Sequence, residues 1–174
     1  MKKKILILGG GYSKERSISI RSAKAIIKTI NKTYKIKFCD PCHRLFKTIE
    51  TFKPDVIFNA LHGRFGEDGY IQSIIEILGK KYTHSGVISS MSAMDKEISK
   101  KIFIKNKILT PKFFKYSFDK SILGLKKIIK KKLGFPVVIK PINEGSSVNV
   151  FICNQSNLKS KINLLKFYKQ ILIE

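Results

Sequence analysis

Short apolar runs at Lys4–Leu8, Lys35–Cys39 and 55–60 alternate with stretches of helical periodicity, and this alternation constrains the fold more than any other feature of the chain. After the first run, Ala23, Ile26, Ile27 and Ile30 recur at the i, i+3, i+4, i+7 spacing of one buried helix face. A helix over 44–52 stops ahead of Pro54, because the residue before a proline is pushed out of the helical region. The run at 55–60 is apolar almost throughout, as a central parallel strand must be when both its faces are covered. Ile71, Ile74, Ile75 and Leu78 repeat the helical spacing, Gly79 is a fitting stop, and 81–83 reads as a short strand. The order βαβαβ predicts an α/β fold with a Rossmann-like parallel sheet between helices.

The pattern changes near residue 85. Asp95 is placed to cap a helix carrying Ile98, Ile102 and Phe103, and 113–116 reads as a strand. Ser121 is placed to cap a helix with Ile122, Leu125, Ile128 and Ile129, ending near Gly134. Strands at 136–140 and 148–152 flank a polar loop. A helix with Leu158, Ile162 and Leu165 follows, and 171–173 begins another strand whose apolar face is expected to lie uncovered. Strands adjacent in sequence predict an antiparallel α+β lobe. The expected organisation is one domain over 1–85 and a second over 86–174.

Chemistry-bearing residues gather at strand ends and in glycine-bearing loops. The first strand runs into Gly9-Gly10-Gly11 ahead of a helix, a turn whose N–H groups can approach an anion at the positive helix end. Lys14 stands where a dinucleotide fingerprint needs its third glycine, and Ser13-Lys14-Glu15 is not the Gly-Lys-Ser/Thr of a P-loop. Glu15-Arg16 follows that turn, and the third strand delivers His62-Gly63-Arg64-Phe65-Gly66-Glu67-Asp68-Gly69 to the same carboxyl-terminal edge, where ligands of open α/β sheets bind. A third constellation is Lys140, ending an apolar strand, then Glu144-Gly145-Ser146-Ser147-Val148. A fixed positive charge beside hydroxyl and backbone donors is the chemistry of a flap over phosphates. No Gly-x-Ser-x-Gly elbow is present, which sets the serine hydrolases aside.

With 35 Lys and Arg against 12 Asp and Glu, the formal charge is +23. Arginine, the preferred reader of bases and phosphates, stands only at Arg16, Arg21, Arg44 and Arg64. The lysines spread over every helix face, so the charge reads as a solvated coat and no nucleic-acid partner is expected. Cys39-Asp40-Pro41-Cys42-His43 spells a haem-attachment, redox or zinc motif. No second Cys/His pair completes a zinc site, and Pro41 is read as a turn residue where a redox motif would open a helix. The apolar run at the start is too short for a signal peptide and no run is long enough to span a bilayer, so a cytoplasmic protein without a membrane partner is expected.

Five segments together resemble the D-alanine–D-alanine ligase family, a branch of the ATP-grasp enzymes. They are Gly10-Gly11-Tyr12-Ser13-Lys14-Glu15-Arg16-Ser17-Ile18-Ser19; Ala60-Leu61-His62-Gly63 through Gln72; Tyr82-Thr83-His84-Ser85-Gly86-Val87 with Ala93-Met94-Asp95-Lys96; Pro136-Val137-Val138-Ile139-Lys140-Pro141; and Glu144-Gly145-Ser146-Ser147-Val148. The resemblance implies ATP-dependent joining of two D-alanines through an acyl phosphate, for peptidoglycan synthesis. It implies that Glu15 holds the first D-alanine's ammonium, that His62 lies beside that amino acid, and that Ser146 closes the site through Glu15. Lys96, Lys140 and Ser147 would bind ATP phosphates, and Glu174 the adenine. Two departures stand out: His84 and Asn149 occupy positions where the family commonly has glycine.

The family pattern continues into a further lobe carrying the Mg²⁺ ligands, so no metal ligand is expected within these 174 residues, and the second lobe reads as an incomplete ATP-grasp unit. Partners implied are ATP and D-alanine, with room for a homodimer. The rivals are a non-catalytic remnant that binds ATP or amino acid weakly, and a basic nucleic-acid-binding protein. The chain by itself is expected not to turn over.

Overall fold

The computed structural model describes residues 2–118, 122–145 and 147–174, apart from the side chains of Cys42, His43 and Leu123. The chain divides into two compact units, Met1–Ala93 and Met94–Glu174.

In the first unit, β1 (Lys4–Leu8), α1 (Arg16–Ile30), β2 (Lys35–Cys39), α2 (Pro41–Phe52), β3 (Val56–Asn59), α3 (Tyr70–Ile77), β4 (Lys81–Tyr82) and α4 (Val87–Met94) follow in order. The sheet runs β2-β1-β3-β4 with every pair parallel. Alternation along β1 divides the core. Leu6 and Leu8 join Leu45, Ile49, Ile71 and Ile75 from α2 and α3, while Ile7 packs on Ala23 with Ile26, Ile27 and Ile30 of α1 alongside. Leu6, Ile7 and Leu8 are wholly buried, each contributing roughly 1.5–3 kcal/mol of apolar burial. Helices on both faces of a parallel sheet are the arrangement the alternation predicts.

Two local readings change. Helix α2 starts at Pro41, ahead of the expected 44, because proline suits a first helical turn whose N–H groups lack intrahelical partners. Helix α4 (Val-Ile-Ser-Ser-Met-Ser-Ala-Met) is not among the expected elements: Ile88 and Met91 lie exposed while Ser90 is the buried residue, so its apolar positions do not mark a buried face.

The second unit contains α5 (Lys96–Lys105), β5 (Phe114–Ser117), α6 (Ile122–Lys132), β6 (Val137–Pro141), β7 (Phe151–Cys153), α7 (Leu158–Leu164), a 3-10 turn at Lys166–Tyr168 and β8 (Gln170–Ile173). Its sheet, β5-β8-β6-β7, is antiparallel throughout. One face buries Val137, Ile139, Ile171 and Ile173 against Leu125 and Ile129 of α6 and Leu158, Ile162 and Leu165 nearby. The expected uncovered face at 171–173 is not found. Strand β8 is an inner strand, and Ile171, Leu172 and Ile173 are fully buried. Strand β7 begins at Phe151 and not at Val148, because Ser147 and Asn149 take left-handed φ of 60° and 56° and turn the chain. Asp95 caps α5 as expected, its carboxylate accepting from the N–H groups of Glu97 and Ile98 at 2.9 Å. The Ser121 cap lies outside the described residues.

Candidate functional site

In the first unit the loops after β1 and β3 are stitched together. The buried Ser19 hydroxyl accepts from the Gly10 N–H and donates to the Ala60 carbonyl, both at 2.8 Å. Ser13 Oγ donates to the His62 carbonyl at 2.6 Å and accepts from the Glu15 N–H at 3.1 Å. Glu15 is only 7% exposed, and a Cβ on Gly63 would stand 2.3 Å from its Oε2. Gly63 also has φ +72°, so both backbone and carboxylate require glycine there. His62 Nε2 lies 3.1 Å from Ser22 Oγ, and Glu67 accepts from the Gly63 N–H at 2.7 Å. Asn59 and Gln72 both donate to the Gly66 carbonyl, at 2.8 and 2.9 Å, which fixes the far side of the His62 loop. A buried carboxylate beside a histidine at the strand edge can receive a small ammonium group.

The second unit gathers its charges on the sheet face opposite α6 and α7. Val138 and Glu174 exchange both backbone hydrogen bonds, at 2.7 and 3.0 Å, and Lys140 lies opposite Leu172. Lys140 and Glu174 are therefore diagonal neighbours on one face, and Lys140 Nζ donates to Glu174 Oε1. Helix α5 brings Lys96 and Lys100, four residues apart and so on one side of the helix. Lys96 Nζ donates to the carbonyls of Glu144 and Ile142, the latter at 3.3 Å, and its N–H reaches the Ile142 carbonyl at 3.1 Å. Lys100, 6% exposed, donates to Glu174 Oε2 at 2.6 Å and to Thr110 Oγ1 at 2.8 Å.

The electrostatics follow from this crowding. Burial, and then the positive charge of Lys140, hold the Lys96 ammonium below the usual lysine range, against the pull of Glu144, Asp95 and Glu174. Burial alone pushes the Glu174 carboxyl up, but hydrogen bonds from Lys100 and Lys140 outweigh it and bring the group below the usual carboxylate range. Lysines repelling one another beside the Glu144–Val148 loop form a place where an anion is favoured.

The structure thus places Glu15 and His62 together in the first unit, and Lys96, Lys140 and Glu174 together in the second. Ser147 sits exposed on the adjoining loop, and Ser146 lies outside the described residues. Nothing in the sequence singles out Lys100; its one signal is the four-residue spacing from Lys96 behind the Asp95 cap. Among the described residues no three His, Cys, Asp or Glu side chains converge to hold a metal ion. Glu174 is engaged by Lys100 and Lys140, and Glu97 by Lys101 and Lys115 at 2.7 Å each. These residues do not fit a magnesium site, and no chemical step is assigned to one. The case against a reactive Cys39-x-x-Cys42 also shifts. Pro41 does open a helix, but burial pushes the Cys39 thiol up, the reverse of what an activated thiolate needs.

Residues 104–174 match the family model described as "D-ala D-ala ligase C-terminus". A D-alanine–D-alanine ligase of Pelagibacter ubique is 60% identical over 175 residues, covering 100% of this chain and 58% of that protein. Over its whole length the chain is homologous to D-alanine–D-alanine ligases. A second ligase so named, from the Wolbachia of Brugia malayi, is 45% identical over 85% of the chain and 42% of its own length. Among solved structures, the D-alanine–D-alanine ligase of Bacillus anthracis superposes with a TM-score of 0.85 at 33% identity, covering 99% of this chain and 57% of that one. The same enzyme complexed with ATP gives 0.80 at 32% identity, covering 99% and 58%. The chain thus spans a little over half the length of the Pelagibacter and Bacillus relatives. The fold and these relatives lend no support to the nucleic-acid reading. No helix among the described residues is long and apolar enough to cross a membrane.

Proposed function

We propose that the chain provides the amino-acid-binding and nucleotide-binding parts of an ATP-dependent D-alanine–D-alanine ligase acting in peptidoglycan precursor synthesis in the cytoplasm. ATP phosphorylates the carboxylate of one D-alanine, and the amine of a second displaces phosphate from the acyl phosphate. Glu15 holds the ammonium of the first D-alanine, with His62 beside it. Lys96 and Lys140 neutralise the ATP phosphates as point charges, Ser147 donates to the phosphoryl group, and Glu174 takes the adenine end. Such catalysis rests on positioning and charge, since phosphoryl transfer asks little covalent chemistry of the protein. The Mg²⁺ that family chemistry calls for has no ligand set among the described residues.

The observation that carries this reading is the convergence of Lys96 and Lys140 at the end of β6, beside a loop with a hydroxyl and a glycine. The test is calorimetric titration of the chain with ATP and separately with D-alanine. Saturable ATP binding competed by ADP is expected; a chain that takes up D-alanine and no nucleotide would overturn the assignment.

A further inference from the structure

We propose that Lys100 is a positioning residue of the nucleotide site: it holds Glu174 through Oε2, so that Lys140 can leave that carboxylate for an incoming triphosphate. The inference rests on the nucleotide reading above. It starts from the donor count of an ammonium group, which is three. Lys100 Nζ gives one hydrogen to Thr110 Oγ1 at 2.8 Å and one to Glu174 Oε2 at 2.6 Å. It also lies 5.1 Å from the centre of the Phe113 ring, whose face takes up the remaining charge. A buried lysine so engaged has nothing left to offer a ligand. Lys140, by contrast, holds Glu174 by the other oxygen and stands at the mouth of the phosphate loop.

The arrangement divides the work between the lysines. Glu174 faces Lys100 and Lys140 directly and feels the charge of Lys96. When Lys140 turns to a phosphate, Glu174 keeps Lys100 and is not stranded as a buried charge, the costly outcome of breaking such a pair. With Lys100 gone, the nucleotide must take Lys140 from a carboxylate that has no other partner of comparable strength among the described residues.

The experiment measures ATP affinity of the full chain for the wild type, Lys100→Met, Lys100→Arg, Glu174→Gln and the Lys100→Met/Glu174→Gln double variant. Lys100→Met is expected to weaken binding about tenfold, and Lys100→Arg to recover most of it. In the Glu174→Gln background, removing Lys100 should change little. The deficit of Lys100→Met should also shrink as pH falls from about 8 to about 5, because Glu174 without Lys100 protonates more readily and releases Lys140. A deficit that persists in the Glu174→Gln background, or stays flat with pH, would make Lys100 a structural lysine and overturn the proposal. So would unchanged binding by Lys100→Met. If Lys100→Met fails to fold, Lys100→Gln, which retains a donor for Thr110, takes its place in the cycle. A wild-type chain that binds no ATP overturns the nucleotide reading and this inference together, whereas normal wild-type binding with indifferent variants overturns this inference alone.

Discussion

Ser13 Oγ donates a 2.6 Å hydrogen bond to the main-chain carbonyl of His62, tying the loop after β1 to the loop after β3 across 49 residues of sequence. The two strands are neighbours in the parallel sheet, so their carboxyl ends emerge side by side. The hydroxyls of Ser13 and Ser19 turn that adjacency into one cradle, in which Glu15 and His62 are held by backbone as much as by side chain.

Ser19→Ala is expected to destabilise the first unit by about 1–3 kcal/mol, since it leaves the buried Gly10 N–H and Ala60 carbonyl without the hydroxyl that satisfies both. Chemical denaturation monitored by circular dichroism reads this directly. A loss of less than about 0.5 kcal/mol, the range of ordinary surface substitutions, would show that the cradle relaxes around the missing oxygen.

Glu15→Gln keeps the shape of the side chain and removes its charge, so it should weaken D-alanine binding at least tenfold, more than about 1.4 kcal/mol, while leaving ATP affinity near normal. Gly63→Ala should give the same phenotype from the opposite loop. An added Cβ would stand 2.3 Å from Glu15 Oε2 and would take a left-handed φ of 72°. Titration of both variants with both ligands checks the pairing; equal losses for D-alanine and ATP would mean that the site had simply come apart.

The fold was legible wherever burial forces a period on the sequence. Leu6, Leu8, Ile71 and Ile75 occupy the core that their spacing predicts, and Val137 and Ile139 face inward with Ile171 and Ile173. Helix α4 was not, because it buries Ser90 and leaves Ile88 and Met91 exposed, so burial imposes no apolar period there. The start of β7 was displaced by the left-handed turn at Ser147 and Asn149, a backbone property that side-chain patterning does not encode. His84 and Asn149, the two departures from the family's glycines, have φ of 80° and 56°, which explains why glycine suits those positions. Asn149 is further fixed by donating to Tyr168 Oη at 2.7 Å. Lys100 stayed invisible for a different reason. In a chain with 35 basic residues, a buried lysine looks like every other lysine until the register of β6 and β8 sets Glu174 beneath it.

Lys140 and the lysine coat should separate cleanly in ATP binding. Lys140→Ala removes a half-buried charge at the phosphate loop and should cost at least tenfold in affinity. Lys130, Lys131 and Lys132 lie exposed in the last turn of α6, where charges more than a Debye length of about 8 Å from a ligand are screened. Neutralising those three together should change affinity far less. Calorimetry on both variants at physiological salt decides it, and comparable losses would point to diffuse attraction in place of a built phosphate site.

Lys96 should register nucleotide binding as a proton. Its ammonium is held below the usual lysine range first by burial and then by the charge of Lys140. The folded protein therefore binds fewer protons at this lysine than the unfolded chain between the lowered folded value and the ordinary value of about 10.4. In that window stability rises with pH, and below it the charged Lys96 opposes folding. A triphosphate beside Lys96 supplies the negative charge that burial and Lys140 deny it, so binding must raise the pKa and draw a proton from solution. At pH about 9 the phosphates of free ATP are already fully ionised and contribute no such uptake of their own. The enthalpy of ATP binding measured there in buffers of different ionisation enthalpy should thus show net proton uptake, and Lys96→Met should abolish most of it. Proton uptake that survives in Lys96→Met would assign the titration to another group and remove Lys96 from the phosphate site.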